Sequence, residues 1–186
     1  VNCVAYRRGE RVADLPISEI RSHLADPGCF VWVALKDPAP EEFERLQEEF
    51  NLHELAVEDA SRGHQRPKMD EYGQSLFVVL QIVEAVDTEL HAGEVAIFVG
   101  PGYVVTVRRD SRHGFSDVRK RSEMEPELLQ HGPAYVLYAL MDAVVDRYFP
   151  IIDMLETELE TIEEAIFAKG SARTNTERLY ALKQKV

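Results

Sequence analysis

From Pro133 onward the chain gives a helix no clear place to stop until Gly170. Within that stretch Met141, Val145, Tyr148, Ile152, Leu155, Leu159, Ile162 and Ile166 follow spacings of 4-3-4-3-4-3-4, the heptad signature of a coiled-coil seam. At 1.5 Å per residue the helix would run roughly 55 Å, longer than a small domain is wide. Pro150 sits inside it. Proline lacks an amide hydrogen and clashes with the carbonyl four residues back, so a kink or a break is expected there. Gly170–Thr176 reads as a loop and the last residues return as another helix; Thr174–Val186 reads as its first turns with no stop signal, as though the chain were cut before its natural end. The expected division is an α/β domain over 1–132, a long helical arm over 133–170, and a loop and the truncated start of a stalk helix over 171–186.

The preceding residues carry a different pattern. Residues 2–6, Cys29–Leu35, Pro67–Tyr72, Ser75–Ala85, Glu94–Val99 and Tyr103–Arg109 are rich in β-branched and aromatic side chains and read as strands. Tyr72-Gly73-Gln74 and Gly100-Pro101-Gly102 read as hairpin turns. Helices are expected over Ile17–Ala25, with Asp26-Pro27-Gly28 as its stop, from Pro40 to Phe50, over Ser116–Ser122 and over Glu125–Gln130. Phe43, Leu46 and Phe50 fall at helical spacing and should face a core. Asn51, with Glu54 three residues on, reads as a capping-box-like start for a further short helix, which gives Glu54 a local task. Helices and strands mixed in this way define a mixed α/β class.

Charge and composition remove several kinds of function. A net charge of −12 opposes a nucleic-acid surface, which needs a basic footprint. The uncharged run Val95–Val107 is too short to span a bilayer and is interrupted by Gly100-Pro101-Gly102. Cys3 and Cys29 have no metal-binding or redox spacing and read as reduced, buried thiols in a cytosolic setting. No phosphate-binding loop, HExxH, GxSxG or four-cysteine set occurs, and the six histidines lack metal spacing, so an enzyme is not expected.

Three acids stand out. Glu58 and Asp59 lie near the C-terminal end of a short helix, where the macrodipole disfavours each uncompensated acid by a few tenths to about 1 kcal/mol. Either Arg62, Arg66 and Lys68 neutralise them, or they hold a cation. Asp142 is the only charge in the apolar run Tyr135–Val145, and Asp146 stands at the repulsive i+4 position. Either Arg147 or a nearby hydroxyl satisfies Asp142, or it is half of a carboxylate site completed by another element. The later acids Asp153, Glu156, Glu158, Glu160, Glu163 and Glu164 read either as the solvated face of a coiled coil or as a surface for cations or a basic partner helix.

Two long segments, HELAVEDASRGHQRPKMDEYGQSLFVVL at 53–80 and YVLYALMDAVVDRYFPIIDMLETELETIEEAIF at 135–167, resemble the cytoplasmic domain of CorA-type magnesium/cobalt transporters. The resemblance implies an αβα-layered domain with a mixed sheet, carried on long helices that lead to a stalk and a pore. It implies a homopentamer in the cell (inner) membrane, with this domain cytoplasmic and the membrane reached only through helices beyond these residues. It assigns Glu58, Asp59 and Asp142 as regulatory acids that bind divalent cations between protomers and hold the pore closed. Mg2+ is the implied ion, with Co2+, Ni2+ and Zn2+ as alternatives and a ZntB-like zinc transporter as the runner-up. The family's Gly-Met-Asn pore signature does not occur here, and Glu54 stands where many members have proline. A reading from another class is a cytosolic coiled-coil adaptor. Two apolar spans and Gly-Met-Asn downstream would separate the two.

Overall fold

The computed structural model describes residues 1–26, 28–86, 89–167 and 172–185. Seven strands form one sheet: β1 (Asn2–Arg7), β2 (Glu10–Asp14), β3 (Cys29–Lys36), β4 (Lys68–Tyr72), β5 (Ser75–Val86), β6 (Glu89–Gly100) and β7 (Tyr103–Arg109). Their spatial order is β2-β1-β3-β7-β6-β5-β4. Only β3 and β7 run parallel; every other neighbouring pair is antiparallel. The Tyr72–Ser75 and Gly100–Tyr103 turns close hairpins as expected, since each joins antiparallel neighbours.

Alternation along the strands divides the core in two. Val31, Val33 and Leu35 of β3 face one helical layer; Phe30 and Trp32 face the other. The first layer is α1 (Ile20–Leu24), α2 (Pro40–Phe50) and α3 (Glu54–Arg62), which contribute Ile20, Phe43, Leu46, Phe50, Ala56 and Ala60. The second is α4 (Ser116–Glu123), α5 (Pro126–Leu129) and the start of α6 (Pro133–Phe167), through Val118, Leu129, Val136 and Leu140. This is the αβα arrangement. Each large apolar side chain so buried contributes about 1.5–3 kcal/mol, and that sum holds the layers together.

The long helix departs from expectation in two ways. It continues through Pro150 as a single 35-residue helix. Pro150 and Asp146 are both exposed; at such a position water can serve a carbonyl that has lost its intrahelical donor, so the helix is not forced to break. The seam is also only partly covered. Ile162 is buried, but Val145, Ile152, Leu159 and Ile166 are exposed by 51%, 46%, 38% and 48%. Helix α7 (Ala172–Lys185) packs against α6, and its Leu182 is buried. Meanwhile the first three turns of α6 belong to the second layer rather than to a free arm, because Val136, Leu137, Ala139, Leu140 and Ala143 pack on the sheet.

Smaller corrections have local causes. Helix α7 begins at Ala172, inside the segment expected to be a loop, while the Gly170 stop and Pro27 lie outside the described residues. β2 and the first five residues of β6 carry too many polar residues to stand out as strands, yet both are stabilised by pairing, β2 along an exposed edge. Asn51 does not start α3. It ends α2 in the left-handed conformation at φ 51°, and His53 caps α3 by accepting from the Leu55 amide at 3.3 Å. Cys3 and Cys29 are buried and free, and burial raises the Cys3 thiol to about 11.

Candidate functional site

α3 buries Ala56 and Ala60 against the sheet and turns Glu58 and Asp59 outward. Its end is tightly engineered. The Arg109 guanidinium donates through Nε to the Ala60 carbonyl at 2.9 Å, satisfying one of the terminal acceptors. Gly63 then takes φ 67°, and a Cβ there would come within 3.1 Å of Glu94 Oε1 and 3.2 Å of the Arg109 side chain. Glu94 in turn accepts from the Gln65 amide at 2.9 Å. The basic turn after α3 is thereby locked against β6 and β7, and Lys68 at the start of β4 arrives beside the helix.

Both acids of α3 have cationic neighbours. Glu58 pairs with Arg62 one turn on, at 2.6 Å, and Asp59 accepts from Lys68 Nζ at 2.7 Å. Lys68 also reaches Asp70 at 2.8 Å, and hydrogen bonds to Asp59 and Asp70 raise its pKa well above the usual lysine range. Arg66 forms no salt bridge among the described residues, so two of the three expected cations serve. On α6, Asp142 pairs with Arg121 of α4 at 3.2 Å. The expected partner Arg147 is engaged elsewhere. It donates to the Gly114 carbonyl at 2.7 Å, approaches Asp117 at 3.4 Å, and lies over the Phe115 ring at 4.7 Å.

The structure brings Glu58 and Asp59 together on α3 and places Asp142 on α6, across the sheet from them. Among the described residues no group of three or more His, Cys, Asp or Glu side chains could hold a metal ion within one chain. What the surface offers is two separate groups of carboxylates, Glu58 with Asp59 on α3 and Asp142 on α6. Their carboxylates are partly exposed and are held by ion pairs that each contribute about 0–1 kcal/mol, so a competing cation has little to displace. A hard cation such as Mg2+ keeps several waters and needs only one or two protein carboxylates.

The acid most committed to the fold escaped sequence reasoning. Glu84 of β5 is 7% exposed. It accepts from Ser111 Oγ at 2.8 Å and from the amides of Arg112 and His113, both at 2.9 Å. Burial would raise its pKa, but the two amides and the hydroxyl outweigh that and bring it down to about 2. Glu84 pins the loop that leads from β7 into α4. Its donors lie 27 to 29 residues away in sequence, and no local pattern announces them.

A three-layered α/β domain extended by a long helix, with weakly paired acids on opposite faces, is the class that fold and surface define. The CorA-like Mg2+ transporter protein model matches residues 28–186, and the chain belongs to that family. YfjQ of Bacillus subtilis, a metal ion transporter by name, is 38% identical over 139 residues, covering 74% of this chain and 42% of that protein. The cobalt/magnesium transport protein CorA of Thermotoga maritima is 29% identical over 145 residues, covering 76% of this chain and 41% of that protein. The chain therefore spans about two fifths of the length of these relatives. The soluble domain of CorA from Methanocaldococcus jannaschii superposes with a TM-score of 0.71 at 16% identity, over 98% of this chain and 71% of that one, and so shares the fold. Among the described residues no helix is long and apolar enough to cross a membrane.

Proposed function

We propose that this chain is the cytoplasmic regulatory region of a divalent-cation transporter of the inner membrane, assembled as a homopentamer. Glu58 and Asp59 of one copy and Asp142 of another would then share a Mg2+ or Co2+ ion. The observation that carries the reading is the placement of these acids on opposite layers of the sheet, partly exposed, each with a single exchangeable basic partner or a shared one. Opposite faces of one chain cannot meet, but faces of neighbouring copies can.

The mechanism follows from charge. Carboxylates brought together across an interface repel one another, and Arg62, Lys68 and Arg121 offset only part of that at the surface. A bound cation converts the repulsion into attraction and favours the associated, closed arrangement. Its loss favours the loosened one, by no more than the difference in affinity between the two. Weak, hydrated coordination suits a sensor that must release its ion.

The test compares the wild-type chain with an Asp59→Asn/Asp142→Asn variant by thermal melting and sedimentation, with and without millimolar Mg2+. The expected result is an ion-dependent rise in melting temperature or association that the variant lacks. Equal shifts in both proteins would remove these residues from the site.

A further inference from the structure

At the C-terminal ends of the parallel strands β3 and β7, Ala34 pairs with Thr106 and Lys36 with Arg108. Strand alternation puts these four side chains on the same sheet face as Trp32, beneath α4. Between strands and helix lies a cavity of about 590 Å³. Its lining includes Arg11, Lys36, Arg108, Arg119 and Lys120 against one acid, Glu123. That acid is already occupied, accepting from the Tyr6 hydroxyl at 2.7 Å and from Arg11 at 3.4 Å. Among the described residues Lys36, Arg108, Arg119 and Lys120 form no salt bridge. Such a concentration of positive charge is unexpected in a chain of net charge −12.

Arg119 makes the point most strongly. It is 9% exposed and sits over the Trp32 ring at 4.4 Å. It donates to the Trp32 carbonyl at 3.2 Å and to the Asn2 side chain, both neutral acceptors. Burial lowers its pKa from the ordinary arginine value, the mark of a charge held where water does not fully solvate it. Trp32, which lines the same cavity, is 1% exposed, and its Nε1–H has no partner. Gly114, Phe115 and Ser116 complete the wall at the start of α4, a helix with no side-chain cap on its first amides.

We propose that this cavity binds a small anion bearing two or more phosphate groups. Guanidinium forks and lysine ammoniums match phosphate oxygens, and the volume is that of an ordinary small-ligand pocket. The carboxyl ends of parallel strands are a recurrent place for such crevices in open α/β sheets. Recognition falls on the phosphates rather than on a stacked base, because Arg119 covers the Trp32 face and Arg147 that of Phe115. None of Glu58, Asp59 and Asp142 lines the cavity, and the proposal does not depend on the cation reading.

Trp32 is the only tryptophan, so its fluorescence reports on this cavity directly. Pyrophosphate is titrated into the chain in buffer freed of divalent cations, with fluorescence and calorimetry as readouts. Saturable, submillimolar binding that weakens with added salt is expected. A Lys36→Ala/Lys120→Ala variant, which removes two exposed side chains, should keep its melting temperature and lose at least tenfold in affinity. An Arg45→Ala/Arg66→Ala variant makes the same charge change at exposed positions outside the cavity and should bind as the wild type does. No saturable binding at millimolar pyrophosphate, or equal losses in the two variants, would overturn the proposal.

Discussion

Glu84 and Asp59 are both carboxylates beside the same sheet, yet they sit in opposite regimes. Glu84 is enclosed at the end of β5, and every partner that holds it is a backbone amide, a hydroxyl or a histidine of one short loop. Asp59 stands on the outer side of α3, and its partner is a flexible lysine that it shares with Asp70. A cation can displace an ammonium group from Asp59 at small cost, since both ions remain hydrated. Nothing can displace three converging donors from Glu84 without opening the loop. The difference separates an acid that builds the fold from acids left available for a ligand.

The largest effect should come from Glu84→Gln, which leaves donors facing an amide that cannot accept all of them. A loss of about 2–4 kcal/mol in urea unfolding is expected. A loss below about 0.5 kcal/mol would break the contrast.

Acid titration comes next. With a folded pKa near 2 against an ordinary 4.5, Glu84 binds its proton more readily in the unfolded chain. Its contribution is therefore fully present above about pH 5 and is lost as pH falls through 4.5 toward 2. Other carboxylates titrate in the same window, so the wild type and Glu84→Gln should be compared. The gap between their stabilities should close as pH falls.

Asp59→Asn and Asp142→Asn should each change stability by less than about 1 kcal/mol without divalent ions, because each loses only a surface ion pair. Larger losses would mean that these acids, too, are structural. The smallest effect is expected from Arg66→Ala, within about 0.5 kcal/mol, since Arg66 forms no salt bridge among the described residues.

Legibility followed the range of the interactions. The hairpin turns, the packing face of α2 and the sequence matches around Glu58, Asp59 and Asp142 were visible because short-range spacing encodes them. The apolar seam of α6 was visible as well, but its degree of cover was not. Val145, Ile152, Leu159 and Ile166 carry the same pattern as Ile162, yet only Ile162 of these five is buried. Arg121 rather than Arg147 as the partner of Asp142 depended on how α4 lies across α6.

Periodicity and turn chemistry were enough for the mixed α/β class, the long helix and three acids worth suspecting, since each arises from residues a few positions apart. The burial of Glu84, the division of the acids between two sheet faces, and the basic cavity under α4 arise otherwise. Each needs side chains from strands and loops tens of residues apart to converge, and strand pairing and layer packing bring them together. No local pattern records such convergence, because the free energy that selects it comes from burial shared across the whole sheet.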